Sequence, residues 1–237
     1  MPEPLSHSQF SEDRLVWEFF GGKPGGFFLE IGANDPENLS QTFLLERNGW
    51  EGILVEPQRD CCERLRQRRS KSKVFQVACG APEQKGRAPF HISTRYELSG
   101  LARHRNDEDV VYARTEEVEV LPVDDLLARA GNPKIDFVSI DVEGTELDVL
   151  RGFTLEKHRP ALLLIEDHVH SLDVHRHLTR HGYKLVKRTG SNNWYVPKDA
   201  AFAMASVGER LKLFRKMYLG TPLRQFRRFL KRWPAKK

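Results

Sequence analysis

The sequence predicts an α/β fold in three layers: a mostly parallel sheet with helices on both faces, closed by a last strand that runs antiparallel. Two observations carry this expectation. Short apolar runs alternate with helical segments along most of the 237 residues, the signature of βαβ units. The last two apolar runs are separated only by a Gly-Ser-Asn-Asn stretch at residues 190–193, too short for a crossover, so they must pair as an antiparallel hairpin.

Taken in order, Gln9 to Phe20 carries Phe10, Leu15, Val16, Phe19 and Phe20 at helical spacing, which predicts a short helix ended by Gly21. Phe27 to Ile31 is a buried strand, too short and too apolar for an amphipathic helix and closed by Gly32 and Pro36. Asn38 or Ser40 caps the next expected helix, which runs through Asn48 to the stop at Gly49. A strand at Gly52 to Val55, a basic helix at Asp60 to Ser70 and a strand at Val74 to Ala78 repeat the unit. Residues 81–122 break the alternation: strands at Pro89 to Ser93 and Glu116 to Leu121 flank a polar loop, expected to act as a lid or substrate loop. The alternation resumes with a helix at Val123 to Ala130, a strand at Ile135 to Val142 and a helix at Thr145 to Arg151. A strand at Pro160 to Glu166, a helix at Ser171 to His181, and the hairpin strands Tyr183 to Lys187 and Asn193 to Val196 complete the domain.

Composition narrows the classes. One domain is expected over residues 1–200, with a separate basic amphipathic tail over 201–237. No apolar run approaches the roughly 18 residues of a membrane span, and the first residues lack a signal-peptide profile, so a cytoplasmic protein is expected. Cys61, Cys62 and Cys79 lack redox or zinc spacing and read as reduced, structural thiols. The net charge of +5 is uneven, because the stretch from Ser206 onward holds 11 Lys/Arg against the single acid Glu209. In that tail Leu211, Phe214, Tyr218, Leu223, Phe226, Leu230 and Trp233 recur at helical spacing between cations, a pattern that suits docking on the domain or peripheral contact with an anionic membrane. No nucleic-acid partner is expected, since no base-stacking module is visible.

The chemistry concentrates at strand ends. Glu30 lies at the carboxyl end of its strand, where open α/β sheets bind ligands, and Gly32 lets backbone approach a ligand beside the donor and acceptor of Asn34. Glu56 ends the next strand at the spacing from which a carboxylate takes ribose hydroxyls; the GANDPE stretch at 32–37 lacks the later glycines of a dinucleotide fingerprint. Asp141 and Glu143 lie two apart after a third buried strand, as do Glu166 and His168 after a fourth.

These residues resemble the FkbM family of class I S-adenosylmethionine-dependent methyltransferases. The likeness rests on SQFSED (Ser8 to Asp13), FFLEIGAND (Phe27 to Asp35), NGWEGILVEP from Asn48, and IDVEGTELDVLRG (Ile140 to Gly152), and it covers about Ser8 to Pro197. It implies a Rossmann-like methyltransferase sheet and methyl transfer to a hydroxyl of a sugar, glycan or secondary metabolite. By the resemblance Glu30, Gly32 and Asn34 border the methionine part of the cofactor, Glu56 the ribose, and Ala78 with Cys79 the adenine, while Gln9 and Asp13 fold over it. A sulfonium cofactor suits an acidic, partly dry pocket, and Glu30 and Asp141 supply the acids. A base must take the hydroxyl proton. His168 is the first candidate because imidazole titrates near neutrality, with Glu143, Asp167 and Asp141 as carboxylate alternatives. The same carboxylates suit Mg²⁺ in a cation-dependent version. His170, His175, His177 and His181 read as surface histidines rather than a zinc set. Arg95, Tyr96, Arg103 and His104 are candidates to grip a polar acceptor. A non-catalytic module that keeps the fold and binds through its tail is the alternative from another class.

Overall fold

The computed structural model describes residues 6–102, 110–168, 171–201 and 207–222. In chain order its strands are β1 (Phe27–Ile31), β2 (Glu51–Val55), β3 (Ser72–Phe75), β4 (Ala78–Cys79), β5 (Gly86–Ser93), β6 (Tyr112–Leu121), β7 (Phe137–Ile140), β8 (Leu162–Glu166), β9 (Tyr183–Thr189) and β10 (Asn192–Pro197). Seven of them form one sheet in the order β3-β2-β1-β7-β8-β10-β9. The first five are parallel, and β10 runs antiparallel between β8 and β9. The hairpin is therefore as expected, and insertion between two neighbours explains why all six residues of β10 are buried.

Side chains alternate across the sheet, so β1 sends Phe28 to one face and Leu29 and Ile31 to the other. Helices α1 (Glu12–Phe19), α2 (Phe43–Arg47) and α3 (Arg59–Arg68) cover the first face with Val16, Leu45 and Leu65. The opposite face is covered by α4 (Val123–Arg129), α5 (Glu146–Arg151), α6 (Leu155–His158) and α7 (Asp173–Arg180). The strand order reverses between β1 and β7, a switch point where the crevice beyond the strand ends opens.

Three expectations need correction. The helix after β1 starts at Phe43 rather than at Asn38 or Ser40, because Ser40, Gln41 and Thr42 turn their donors onto the Glu30 carboxylate and leave the helical path. The strand expected at Val74 to Ala78 is two strands. β3 ends at Phe75, and β4 leaves the main sheet to pair with β6 through Ala78–Val120 and Cys79–Leu121. Residues 81–122 are then not an open loop on two short strands. β5 and β6 form a long antiparallel pair that joins β4 in a second, three-stranded sheet with its own core of Ala78, Phe90, Ile92, Val118 and Val120. Arg103 and His104 lie outside the described residues.

The tail is described through residue 222. Helix α8 (Val207–Phe214) continues into a wider π-type turn at Arg215–Leu219. Met217 is buried, and the Tyr218 hydroxyl lies 2.8 Å from His175 Nε2, whose Nδ1 in turn lies 3.3 Å from the Tyr195 hydroxyl. His175, expected at the surface, is instead buried and serves the tail contact, while the rings of His177 and His181 lie tilted 4.4 Å apart beside Glu156. The three do not converge, since His175 lies on another helical face, and His170, Leu223, Phe226, Leu230 and Trp233 fall outside the described residues.

Candidate active site

The site lies at the carboxyl ends of β1, β2, β7 and β8. Gly32 makes this convergence possible. Its φ is 89°, and a Cβ there would come within 1.7 Å of the Asp141 carbonyl oxygen, so only glycine lets β1 and β7 meet so closely. The Asp141 N–H donates to the Ile31 carbonyl at 3.0 Å and fixes the register of the two ends.

Two adjoining lobes open there. The first is bordered by Glu56, Gln58, Ala78, Cys79, Phe90 and Tyr96. The second is larger and more polar, with Gln9, Arg95, Glu166, His168 and Asn192 among its lining residues. Gly32, Asn34, Asp141 and Glu143 border both.

Glu56 is buried at the floor of the first lobe. One carboxylate oxygen accepts the Asn34 N–H at 2.9 Å and the other the Gln58 N–H at 2.8 Å. A carboxylate has about four acceptor positions, more than these two backbone donors fill. Burial pushes its pKa up, against the hydrogen bonds from Gln58 and Asn34. Gln58 Oε1 is buried without a hydrogen-bond partner among the described residues. A buried acceptor left unpaired is costly, and an incoming N–H or O–H donor would relieve it. A ligand that carries hydroxyl or amine donors fits beside these two acceptors.

Glu30 occupies a different setting. Its carboxylate accepts the Gln41 N–H at 2.9 Å and the Thr42 hydroxyl at 2.5 Å, with Ser40 Oγ at 3.4 Å and Arg69 Nη1 at 4.0 Å. Burial raises its pKa while Arg69 and these donors pull it down. Arg69 is wholly buried; Nε donates to Glu46 at 2.8 Å, Nη2 to the Thr42 hydroxyl at 2.7 Å, and Nη1 to the Pro36 carbonyl at 3.1 Å. The pair therefore ties down residues 36–42, which wall the second lobe. Removing one partner of a buried ion pair strands the other, so Arg69→Met is expected to destabilise the fold by about 3 kcal/mol in urea unfolding.

Acids crowd the junction. Carboxylate oxygens of Asp141, Glu143 and Glu166 all lie within 4.8 Å of one another. Burial and then the neighbouring Glu166 push Asp141 well above the usual carboxylate range. The same causes raise Glu143 to about 8. Glu143 sits at φ 58°, a left-handed conformation uncommon for a side-chain-bearing residue, and the turn is held by Glu146, which accepts the Gly144 N–H at 2.9 Å. Burial raises Glu146 to about 7.

The remaining predicted residues divide. His168 is exposed at the rim of the second lobe, with Nε2 3.8 Å from Glu166. Asp167 turns toward β10, accepting from Asn193 Nδ2 at 3.2 Å, and does not line either lobe. Asp13 is buried and accepts from the Ser6 hydroxyl, the His7 N–H and the Ser8 hydroxyl, an N-terminal clasp that leaves Gln9 on the second lobe. Sequence reasoning missed Gln58 and Phe90, and it gave Tyr96 to the acceptor, whereas Tyr96 borders the first lobe and not the second. Gln58 Nε2 donates to the Tyr96 carbonyl at 3.3 Å, linking the second sheet to the first lobe.

Residues 30–185 match the Methyltransferase FkbM domain. The chain belongs to the FkbM methyltransferase family. Among its relatives, the 2-O-methyltransferase NoeI of Sinorhizobium fredii (strain NBRC 101917 / NGR234) is 29% identical over 144 residues, covering 55% of this chain and 58% of NoeI. The FkbM chain thus spans less than two thirds of that relative. Among solved structures, methyltransferase FkbM from Methylobacillus flagellatus KT has 18% identity and a TM-score of 0.47 over 73% of this chain and 43% of that one. A TehB-like SAM-dependent methyltransferase from Corynebacterium glutamicum has 10% identity and a TM-score of 0.41 over 80% and 89% of the two chains.

Proposed function

We propose that this FkbM chain is an S-adenosylmethionine-dependent O-methyltransferase whose acceptor is a hydroxyl of a sugar, glycan or similar polar small molecule. One observation carries the reading: Asp141 and Glu143 border both an acceptor-rich lobe and a larger polar lobe. When bound, S-adenosylmethionine supplies a methyl group on a cationic sulfur.

In this reading Glu56 and Gln58 hold the nucleoside in the first lobe, with Ala78, Cys79 and Phe90 against its base. At the junction the Asp141 carboxylate offsets the cationic sulfur, an attraction strengthened by partial burial that favours the charged form of Asp141. Arg95, Glu166, His168 and Asn192 line the space for the acceptor, where several polar groups can align one hydroxyl. Glu143 takes that hydroxyl's proton onto its carboxylate. Its pKa of about 8 matches a base working near neutrality better than an ordinary carboxylate does. Transfer to an oxygen is favoured by the name of NoeI, a 2-O-methyltransferase.

Calorimetry with S-adenosylmethionine, followed by labelled-methyl transfer to a panel of glycans and phenols, tests the reading. Saturable binding and labelling of a hydroxyl are expected. No saturable binding ends it, and binding without transfer to any hydroxyl favours a non-catalytic module. A second reading has Asp141, Glu143 and Glu166 hold a divalent cation such as Mg²⁺, favoured by the mutual approach of their oxygens. Loss of turnover on dialysis against EDTA, restored by Mg²⁺, is its expected result; retained turnover removes it.

A further inference from the structure

The described part of the tail has two unlike faces. Met217 is buried against the domain, and Tyr218 reaches His175 in the first turn of α7, the helix that follows the strand carrying Glu166. Facing away, Leu211, Phe214 and Leu219 are 58%, 52% and 56% exposed. In a regular α-helix, residues eight apart are rotated by about 80°, which would carry Leu219 away from Leu211. The π-type turn at Arg215–Leu219 rotates less per residue than an α-helix does, which turns Leu219 back toward the side of Leu211 and Phe214. Lys212, Arg215 and Lys216 are exposed along and beside this apolar strip.

We infer that this strip, Leu211, Phe214 and Leu219 with Lys212, Arg215 and Lys216, is a lateral binding surface for an anionic phospholipid membrane. Apolar side chains enter the headgroup boundary while flanking cations meet the phosphates, the division of labour that an interfacial helix requires. Charge complementarity selects this occupant. A second copy would bring another stretch with 11 Lys/Arg and one acid against the first, and the two would repel. Nucleic acid would satisfy the cations and leave the two leucines without a role. No helix among the described residues is long and apolar enough to cross a membrane, so the contact is lateral. The surface does not depend on the proposed reaction.

Co-sedimentation of the full chain with phosphatidylcholine vesicles, and with vesicles also containing phosphatidylglycerol, tests it. The chain is expected to pellet with the anionic vesicles, less so as salt rises, and not with phosphatidylcholine alone. A variant combining Leu211→Ser, Phe214→Ser and Leu219→Ser, and another combining Lys212→Glu, Arg215→Glu and Lys216→Glu, are each expected to weaken binding about a hundredfold. Both should keep the parent's affinity for S-adenosylmethionine, since every substituted side chain is exposed and none lines either lobe. Unchanged pelleting of both variants overturns the inference. So does binding to homopolymeric RNA that falls in the charge variant and not in the apolar one, which gives the face to nucleic acid. A dimer in sedimentation velocity that the serine variant dissociates overturns it too, in favour of a second copy.

Discussion

Glu143→Gln is expected to lower turnover about 10²–10⁴-fold while leaving S-adenosylmethionine affinity close to that of the parent. Gln keeps the shape of the turn but cannot accept the hydroxyl proton. The same change is expected to stabilise the protein in alkaline solution. With a folded pKa of about 8 against an ordinary 4.5, Glu143 retains a proton in the folded chain that the unfolded chain releases. Its contribution to stability is therefore complete below the unfolded pKa and is lost as pH rises through the folded one. Gln carries no such loss, so the melting temperatures of variant and parent should agree near pH 4 and diverge in favour of the variant toward about pH 8. Retained turnover would move the proton to another group. His168→Ala then becomes the informative change, because His168 lines the second lobe and can be replaced without opening the core.

Glu56→Ala is expected to weaken S-adenosylmethionine binding by about 100-fold or more, since two charge-assisted hydrogen bonds are lost together. Calorimetry on parent and variant measures it. Ala also releases the N–H groups of Asn34 and Gln58, so part of the effect would come from loosening of the lobe. Glu56→Gln separates the two contributions. The amide retains one acceptor oxygen and restores part of the loop, and a variant that melts like the parent yet binds weakly assigns the deficit to the ligand contact. Parent-like affinity in both variants would remove Glu56 from the binding site.

Much of this architecture could be read along the chain because the strands that build the cleft are continuous apolar runs. Phe27 to Ile31 and the IDFVSIDV run at 135–142 mark buried parallel strands by composition alone, and acids at their ends stand out against that background. Asp141 and Glu143 were expected together on one side of an extended chain, but β7 ends at Ile140 and a turn with Glu143 at φ 58° brings them to the cleft instead. What stayed hidden depends on chain folding over distance. Arg69 lies 39 positions beyond Glu30 on what reads as an ordinary basic helix, and nothing local marks it as a buried counter-charge. The second sheet was obscured because β4 spans two residues and β6 exposes much of its length, so neither presents a strong apolar signal. Its contribution to the first lobe, through Phe90, was obscured with it. Ser40 and Asn38 looked like helix caps because capping and carboxylate binding use the same small polar side chains.

The placement of β10 between two earlier strands bears on how the protein comes into being. During synthesis β9 emerges first, yet it has no partner in the sheet until residues 192–197 have left the ribosome and slipped in beside β8. Until then β8 is an open edge, a surface on which other unfinished chains can pair. Asn192 arrives with that same strand. A nascent chain halted before it would lack part of the wall of the second lobe.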